Sequence, residues 1–285
     1  MTSFAMNEKG KFPLIFVFIT ANSRCIPEKM LYCFHFFFFY AILFAARTRT
    51  LNEWKNLLLL SNIQGGSVYP PVIIQLDLEE LNNLPDKIRT ILGVYGHIDI
   101  IVNNAGISYR GDVVATTPEV DARVMGVNYF GTVSLTKAVL PSMIERRSGH
   151  IVMIGSLQAK LALPFRSAYG ASKHALQAFS DSLRAETKRH GIDVTVVHPG
   201  YIRTSLSLNA LTGDGNNYGR MDETTESGAD PAEAAVEIVQ AVKSKKDEIL
   251  LCSLFYRLAV LLRTILPSVY FWLMERRAAK NNKSK

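Results

Sequence analysis

The stretch Ile151–Gly200 reads IVMIGSLQAKLALPFRSAYGASKHALQAFSDSLRAETKRHGIDVTVVHPG. Its order of apolar and amphipathic segments decides the fold. Ile151–Ile154 is wholly apolar and short, which fits a strand covered on both faces. Ser167–Arg189 has helical spacing, and Gly191 is placed to stop it. Val194–Val197 is a second apolar strand. Two buried strands joined by one helix predict a parallel crossover unit.

The same alternation continues on both sides. Toward the N-terminus, Thr117–Arg147 reads as a long helix, with Thr117 as N-cap and Pro118 at the first helical position. Ile98–Val102 is a short apolar strand ending in Asn103-Asn104. Leu78–Tyr95 has helical spacing, and Val72–Asp77 reads as a buried strand. Toward the C-terminus, Pro231–Val242 reads as a helix. The expected fold class is α/β, a parallel sheet with helices on both faces. Asn209–Ala229 is rich in Gly, Asn, Asp, Glu and Thr and follows a strand end, where ligands bind in such sheets. It is expected to be a functional lid or a disordered segment.

The chain of 285 residues is 48% hydrophobic and 20% charged, which is globular composition and excludes collagenous and wholly disordered readings. Its net charge of +7 sits at the ends. Residues 1–60 hold seven Lys/Arg against three Asp/Glu, and residues 271–285 hold five against one. The body between them holds twenty against twenty-one. A nucleic-acid binder needs a basic face over the domain, so that function is excluded. Basic ends on a neutral body suit a membrane surface. The cysteines, Cys25, Cys33 and Cys252, form no zinc-ligand spacing, and no metal site is expected.

The ends carry further signals. Phe12–Ile19 is apolar, and Leu31–Ala46 runs sixteen residues with His35 its one strongly polar member. That is near the lower limit for a spanning helix, so a membrane segment is expected within residues 10–46. Ile249–Met274 is apolar but carries Arg257 and Arg263 and is cut by Pro267, which fits an interfacial amphipathic helix better than a span. Three regions follow: 1–46, a hydrophobic N-terminal segment; 47–248, the catalytic domain; and 249–285, an amphipathic basic tail.

One constellation carries chemistry. Tyr169 and Lys173 are four apart on a predicted helix and share a face. Ser156 follows a strand end, and Asn128 lies in the middle of the preceding helix. A phenol is a weak acid or base at neutral pH, and a neighbouring ammonium favours its phenolate. A hydroxyl can hold a carbonyl oxygen beside that phenol, and a mid-helix Asn can hold a relay water. Together they would move a proton on a carbonyl oxygen as hydride reaches or leaves its carbon.

These residues, with Asn103-Asn104-Ala105-Gly106, Asn128-Tyr129-Phe130-Gly131, Tyr169-Gly170-Ala171-Ser172-Lys173 and Pro199-Gly200, resemble the short-chain dehydrogenase/reductase family over about residues 70–250. Ser108–Gly111, Pro164–Tyr169 and Pro199–Ile202 look closest to its membrane-associated 7B-type branch. The resemblance implies a Rossmann-like, doubly wound, three-layer α/β/α fold. It implies an oxidoreductase using NADP(H) in preference to NAD, on a lipid-like substrate such as acyl- or alkyl-dihydroxyacetone phosphate. Tyr169 would be the acid/base, Lys173 would bind the nicotinamide ribose, Ser156 would orient the substrate oxygen, and Asn128 would hold the relay water. Asn104, Ala105 and Gly106 would line the adenine-ribose side and Asp77 the adenine. Pro199, Gly200 and Ile202 would meet the nicotinamide, and Thr204 the pyrophosphate. A homo-oligomer is implied, as is the endoplasmic reticulum or peroxisomal membrane with the catalytic domain in the cytosol.

The sequence departs from that pattern at its start. The family's Thr-Gly-x-x-x-Gly-x-Gly turn, whose backbone N–H groups hold a pyrophosphate, has no match here. Gly65-Gly66 precedes Tyr69-Pro70-Pro71 and cannot open a helix there. Arg47 would end the second strand and read the NADP 2′-phosphate, with Thr50–Leu60 the helix after it. Residues 1–44 would then replace the first strand, turn and helix, as an alternative first exon or a faulty gene model would produce. The competing reading is a catalytically impaired, membrane-associated binding protein.

Overall fold

The structure, a computed structural model, describes Ile74 and residues 76–282. The segment 10–46, Arg47, Thr50–Leu60 and Gly65-Gly66 lie outside the described residues. Of the strand expected at Val72–Asp77, Ile74, Leu76 and Asp77 are described, and none of the three joins a ladder. The chain turns at Asp77 instead, its Oδ1 accepting the Glu79 N–H at 2.9 Å and its carbonyl the Glu80 N–H at 3.2 Å. An aspartate that closes a turn on its own backbone competes with strand pairing.

The elements follow the expected alternation. Helix α1 (Leu84–Tyr95) leads to β1 (Ile100–Asn103) and the two-residue β2 (Tyr109–Arg110). Helix α2 (Pro118–Met125) passes through a π-helical turn, Gly126–Gly131, into α3 (Thr132–Arg146). Then come β3 (Gly149–Ile154), α4 (Ser167–Thr187), β4 (Ile192–Pro199), β5 (Leu211–Thr212), α5 (Glu223–Glu226), α6 (Pro231–Lys243), β6 (Glu248–Leu251), α7 (Leu254–Ile265) and α8 (Pro267–Asn282). The helix expected over Thr117–Arg147 is therefore three pieces, because a π turn widens the backbone around Asn128. Leu266, the residue before Pro267, leaves the helical region at φ −130°, ψ 65°, and this separates α7 from α8. Gly191 ends the turn after α4 with φ +70°, a conformation that favours glycine.

Among the described residues the main sheet has the order β1-β3-β4-β6, all parallel, and β2 pairs with β5 in a small second sheet. Alternate strand residues enter opposite cores. Ile101, Ile151, Met153, Val194 and Val196 pack with Ile88, Leu135, Val139 and Leu176 from α1, α3 and α4. Ile100, Val102, Val152 and Val197 pack with Ala235, Ile238 and Val239 of α6. This period of two makes three layers, helices on both faces of a parallel sheet, the Rossmann-like α/β architecture. No described helix is long and apolar enough to cross a membrane.

Candidate active site

Parallel strands deliver their C-terminal ends to one edge. Asn103 pairs with Met153, Ile154 with Val197, and Pro199 with Leu251. The loops after β1, β3 and β4 therefore gather together, carrying Asn104–Gly106, Ser156 and Gly200–Thr204.

Ser156 is extended (φ −168°) and caps the 3₁₀ turn Leu157–Ala159, its Oγ accepting the Gln158 N–H at 3.2 Å. Its carbonyl accepts from Nδ1 of buried His198 at 3.0 Å, which fixes the loop from the β4 side. The Ser156 hydroxyl is hydrogen-bonded to the phenol of Tyr169, in the first turn of α4. Lys173, one turn on, donates to the Ile154 carbonyl at 2.9 Å and lies 5.8 Å from the Tyr169 ring centroid. Serine, tyrosine and lysine thus converge as their spacing predicts.

The electrostatics differ from expectation. Burial raises the Tyr169 phenol above its ordinary value; the Ser156 bond, then Arg110 and Arg166, pull the other way. Burial also pushes Lys173 down to about 8. The lysine is therefore the readily titrated member of the pair.

Asn128 is fully buried in the π turn. Both its amide protons are spent, on the Ile107 carbonyl and the Ser172 hydroxyl, each at 2.9 Å, and its Oδ1 accepts the Ile107 N–H at 2.8 Å. Its side chain thus ties the π turn to the loop after β1 and to α4, a positioning task. Gly106 passes so close that a Cβ there would stand 3.1 Å from Asn128 Oδ1 and 3.7 Å from Lys173 Nζ.

Other predicted residues lie at the rim. Gly200 donates to Leu251 at 2.9 Å, Ile202 bridges to Ala229, and Thr204 Oγ1 accepts the Leu206 N–H at 3.4 Å. The bonds of Asp77 are to its own turn and bring it to none of the Tyr169 cluster.

One cluster escaped the sequence reading. Asp222 Oδ2 accepts from Arg110 Nε and Nη2 at 2.9 and 2.6 Å and from Arg166 Nη2 at 3.0 Å. All three side chains are largely buried. Burial works to raise the Asp222 carboxyl, but the bond from Arg110 and the charges of both arginines hold it below its ordinary value. Arg110 and Arg166 stood within stretches quoted for family likeness, but no spacing rule joins residues 56 and 112 positions apart.

A parallel α/β sheet with a buried Ser–Tyr–Lys cluster at its C-terminal edge defines a class of nucleotide-dependent oxidoreductases. The short chain dehydrogenase family matches residues 51–213. A Bos taurus protein named dehydrogenase/reductase SDR family member 7B is 50% identical over 244 residues, covering 86% of this chain and 75% of the relative. A Drosophila melanogaster dehydrogenase/reductase SDR family protein 7-like is 47% identical over 276 residues, 97% of this chain and 84% of the relative. A solved Streptomyces avermitilis short-chain dehydrogenase is 29% identical, with a TM-score of 0.63 over 80% of this chain and 85% of that one. A Burkholderia cenocepacia short chain dehydrogenase, solved in complex with NADP, is 23% identical, with a TM-score of 0.59 over 73% of this chain and 80% of that one. The chain belongs to the short-chain dehydrogenase/reductase family and is an oxidoreductase.

Solved neighbours carry NAD or NADP. The described residues fit the nicotinamide-ribose end of such a group. The side-chain-free Gly106 stands beside the Lys173 ammonium and follows the half-buried Asn104-Ala105 in the chain. Among the described residues, none supplies a glycine-rich turn for the pyrophosphate.

Proposed function

We propose that this chain is an NADP(H)-dependent carbonyl reductase acting on a lipid-like ketone at a membrane surface, acyl- or alkyl-dihydroxyacetone phosphate being the substrate kind. The observation that carries this is the hydrogen-bonded Ser156–Tyr169 pair beside Lys173. A nicotinamide cofactor, when bound, supplies a hydride to the carbonyl carbon. Lys173, Asn104–Gly106, Pro199, Gly200 and Ile202 would hold it, with Thr204 toward the pyrophosphate, Asp77 toward the adenine and Arg47 on the 2′-phosphate. Ser156 orients the substrate oxygen. Tyr169 gives that oxygen its proton, and its burial keeps the phenol protonated until then. Asn128 has both amide protons spent, so its part in a proton relay is to set the π turn whose backbone meets the water.

The tail supports the lipid and membrane side of the proposal. The inner face of α7–α8 packs Tyr256, Val260 and Tyr270 on Leu157 and Leu161, just past Ser156. The outer face exposes Leu254, Phe255, Leu258, Leu261 and Ile265. An apolar surface beside the catalytic loop suits a substrate drawn from lipid. We place the protein at the endoplasmic reticulum or peroxisomal membrane, with residues 47–248 in the cytosol as a homo-oligomer and 1–46 and 249–285 toward the membrane.

The test is titration of the full-length chain with NADPH and NADH, followed by NADPH oxidation with an acyl-dihydroxyacetone phosphate. Micromolar NADPH binding, tighter than NADH, together with turnover is expected. A folded chain that binds neither at millimolar concentration overturns this and leaves the binding-protein reading.

A further inference from the structure

Two guanidiniums share one carboxylate beside the catalytic phenol, so this pocket holds one positive charge in excess. Asp222 meets both arginines through Oδ2 alone. Arg110 spends four of its five N–H donors, on Asp222, Ser108 Oγ and the Tyr109 carbonyl, the last two at 2.7 Å. Arg166 spends one: its one hydrogen bond among the described residues is to Asp222, and its guanidinium lies over the Tyr201 ring, 6.0 Å from the centroid. Its remaining donors open to solvent and are not sealed in the core, so a ligand that enters the site can accept from them.

The location gives the donors a purpose. Arg166 immediately precedes α4, three residues before Tyr169, and Arg110 lies on β2. Both charges are felt by the Tyr169 phenol, so the pair lies within electrostatic reach of where a carbonyl would react. Asp222 comes from the loop after β4, held across the site by the β2–β5 pairing and by the Tyr201–Ala229 and Arg203–Ala229 backbone bonds. It opens the four-residue α5, an element small enough to shift.

We infer that Arg110 and Arg166 form a binding site for an oxyanion on the substrate, a phosphomonoester or a carboxylate, and that Asp222 is a counter-ion this group displaces. The inference deepens the reductase proposal and rests on it. Planar forks that match two oxygens are the usual readers of such groups. With Asp222 released, its loop is free of the arginines, so binding of the anion and movement of the loop are one event. A neutral ketone would leave the Arg–Asp cluster closed.

The experiment compares kcat/KM for an acyl-dihydroxyacetone phosphate, a long-chain keto acid and the dephosphorylated acyl-dihydroxyacetone. In Arg166→Gln the ratio of either anionic ketone to the neutral one should fall about ten- to a hundredfold, the size of a charged hydrogen bond. A fall confined to the phosphorylated or to the carboxylated ketone assigns the anion. An unchanged ratio overturns the inference. Asp222→Asn should move the other way: inorganic phosphate, added at constant ionic strength, should raise its melting temperature more than that of the wild type. Equal or smaller stabilisation overturns the counter-ion role. The phosphate readout does not require turnover, so loss of all reductase activity with phosphate binding retained would break the function proposal and leave the anion site standing.

Discussion

Helix α4 turns Ser172, Lys173, Gln177 and Ser180 into the protein, whereas α7 buries none of its residues and leaves Leu254, Phe255 and Ile265 about 70% exposed, at 70%, 72% and 69%. Each inverts the ordinary partition of polar and apolar groups. On α4 each of these side chains has a partner, although Gln177 Oε1 is left without one. Ser172 bonds Asn128 and the Tyr169 carbonyl, Ser180 the Leu176 carbonyl, Gln177 the Asp181 carboxylate, and Lys173 the Ile154 carbonyl. On the outer face of α7 the apolar side chains stand mostly in solvent, Phe255 edge-to-face with the neighbouring Tyr256 ring. A misplaced polar group that the fold satisfies points inward to chemistry; a misplaced apolar one points outward to what the molecule meets.

The sharpest way to break the contrast is to remove one polar group from α4 that the chemistry needs and the fold does not. Tyr169→Phe keeps the ring in its packing with Ala168, Leu211 and Val124 and deletes only the hydroxyl. Removing a general acid should lower kcat by about 10²- to 10⁴-fold. The circular dichroism spectrum and melting temperature should change little. Retained turnover would strip Tyr169 of the acid/base role.

Lys173 sharpens the contrast through pH. Burial lowers its folded pKa from 10.5 to about 8, so the folded chain holds this proton less tightly than the unfolded one. The penalty is fully present below pH 8 and fades as pH rises from about 8 toward 10.5. The shift corresponds to about 3 kcal/mol. Wild-type stability measured by urea unfolding should therefore rise relative to Lys173→Met by that amount across this window, while the variant loses cofactor affinity. Parallel pH profiles would mean that the ammonium is hydrated and unperturbed.

Helix α4 was largely legible in the sequence, since a four-residue spacing fixes two side chains on one face whatever surrounds them. The strands β1, β3 and β4 were legible for a similar reason: short apolar runs in a parallel sheet are buried on both sides. The π turn was not, because Gly126–Gly131 carries no pattern that separates π from α geometry. Of the strand expected at Val72–Asp77, the described Asp77 closes a turn with its side chain, which the apolar run before it does not foretell. The Arg110–Asp222–Arg166 cluster was illegible in principle, because it is assembled by the β2–β5 pairing of two loops. The direction of the Tyr169 shift was not legible either: spacing shows which charges stand near the phenol, and only the fold shows that burial outweighs them.

The smallest expected effect tests the other side of the contrast. Within 254–282, five basic residues (Arg257, Arg263, Arg276, Arg277 and Lys280) stand against the single Glu275, so the exposed apolar face is flanked by positive charge. That combination favours an anionic lipid surface, with apolar side chains immersed and cations at the headgroups. Phe255→Ser with Leu258→Ser should change folding stability by no more than about 0.5 kcal/mol, since both sites are exposed and away from the core. Removing two partly immersed side chains should cut co-sedimentation with mixed phosphatidylcholine–phosphatidylserine vesicles by roughly tenfold. Raising the salt concentration should weaken what binding remains, because screening acts on the flanking charges and leaves the apolar contact intact. Undiminished vesicle binding would remove α7 as the membrane-facing surface and break the outward half of the contrast, while the chemistry on α4 would stand untouched.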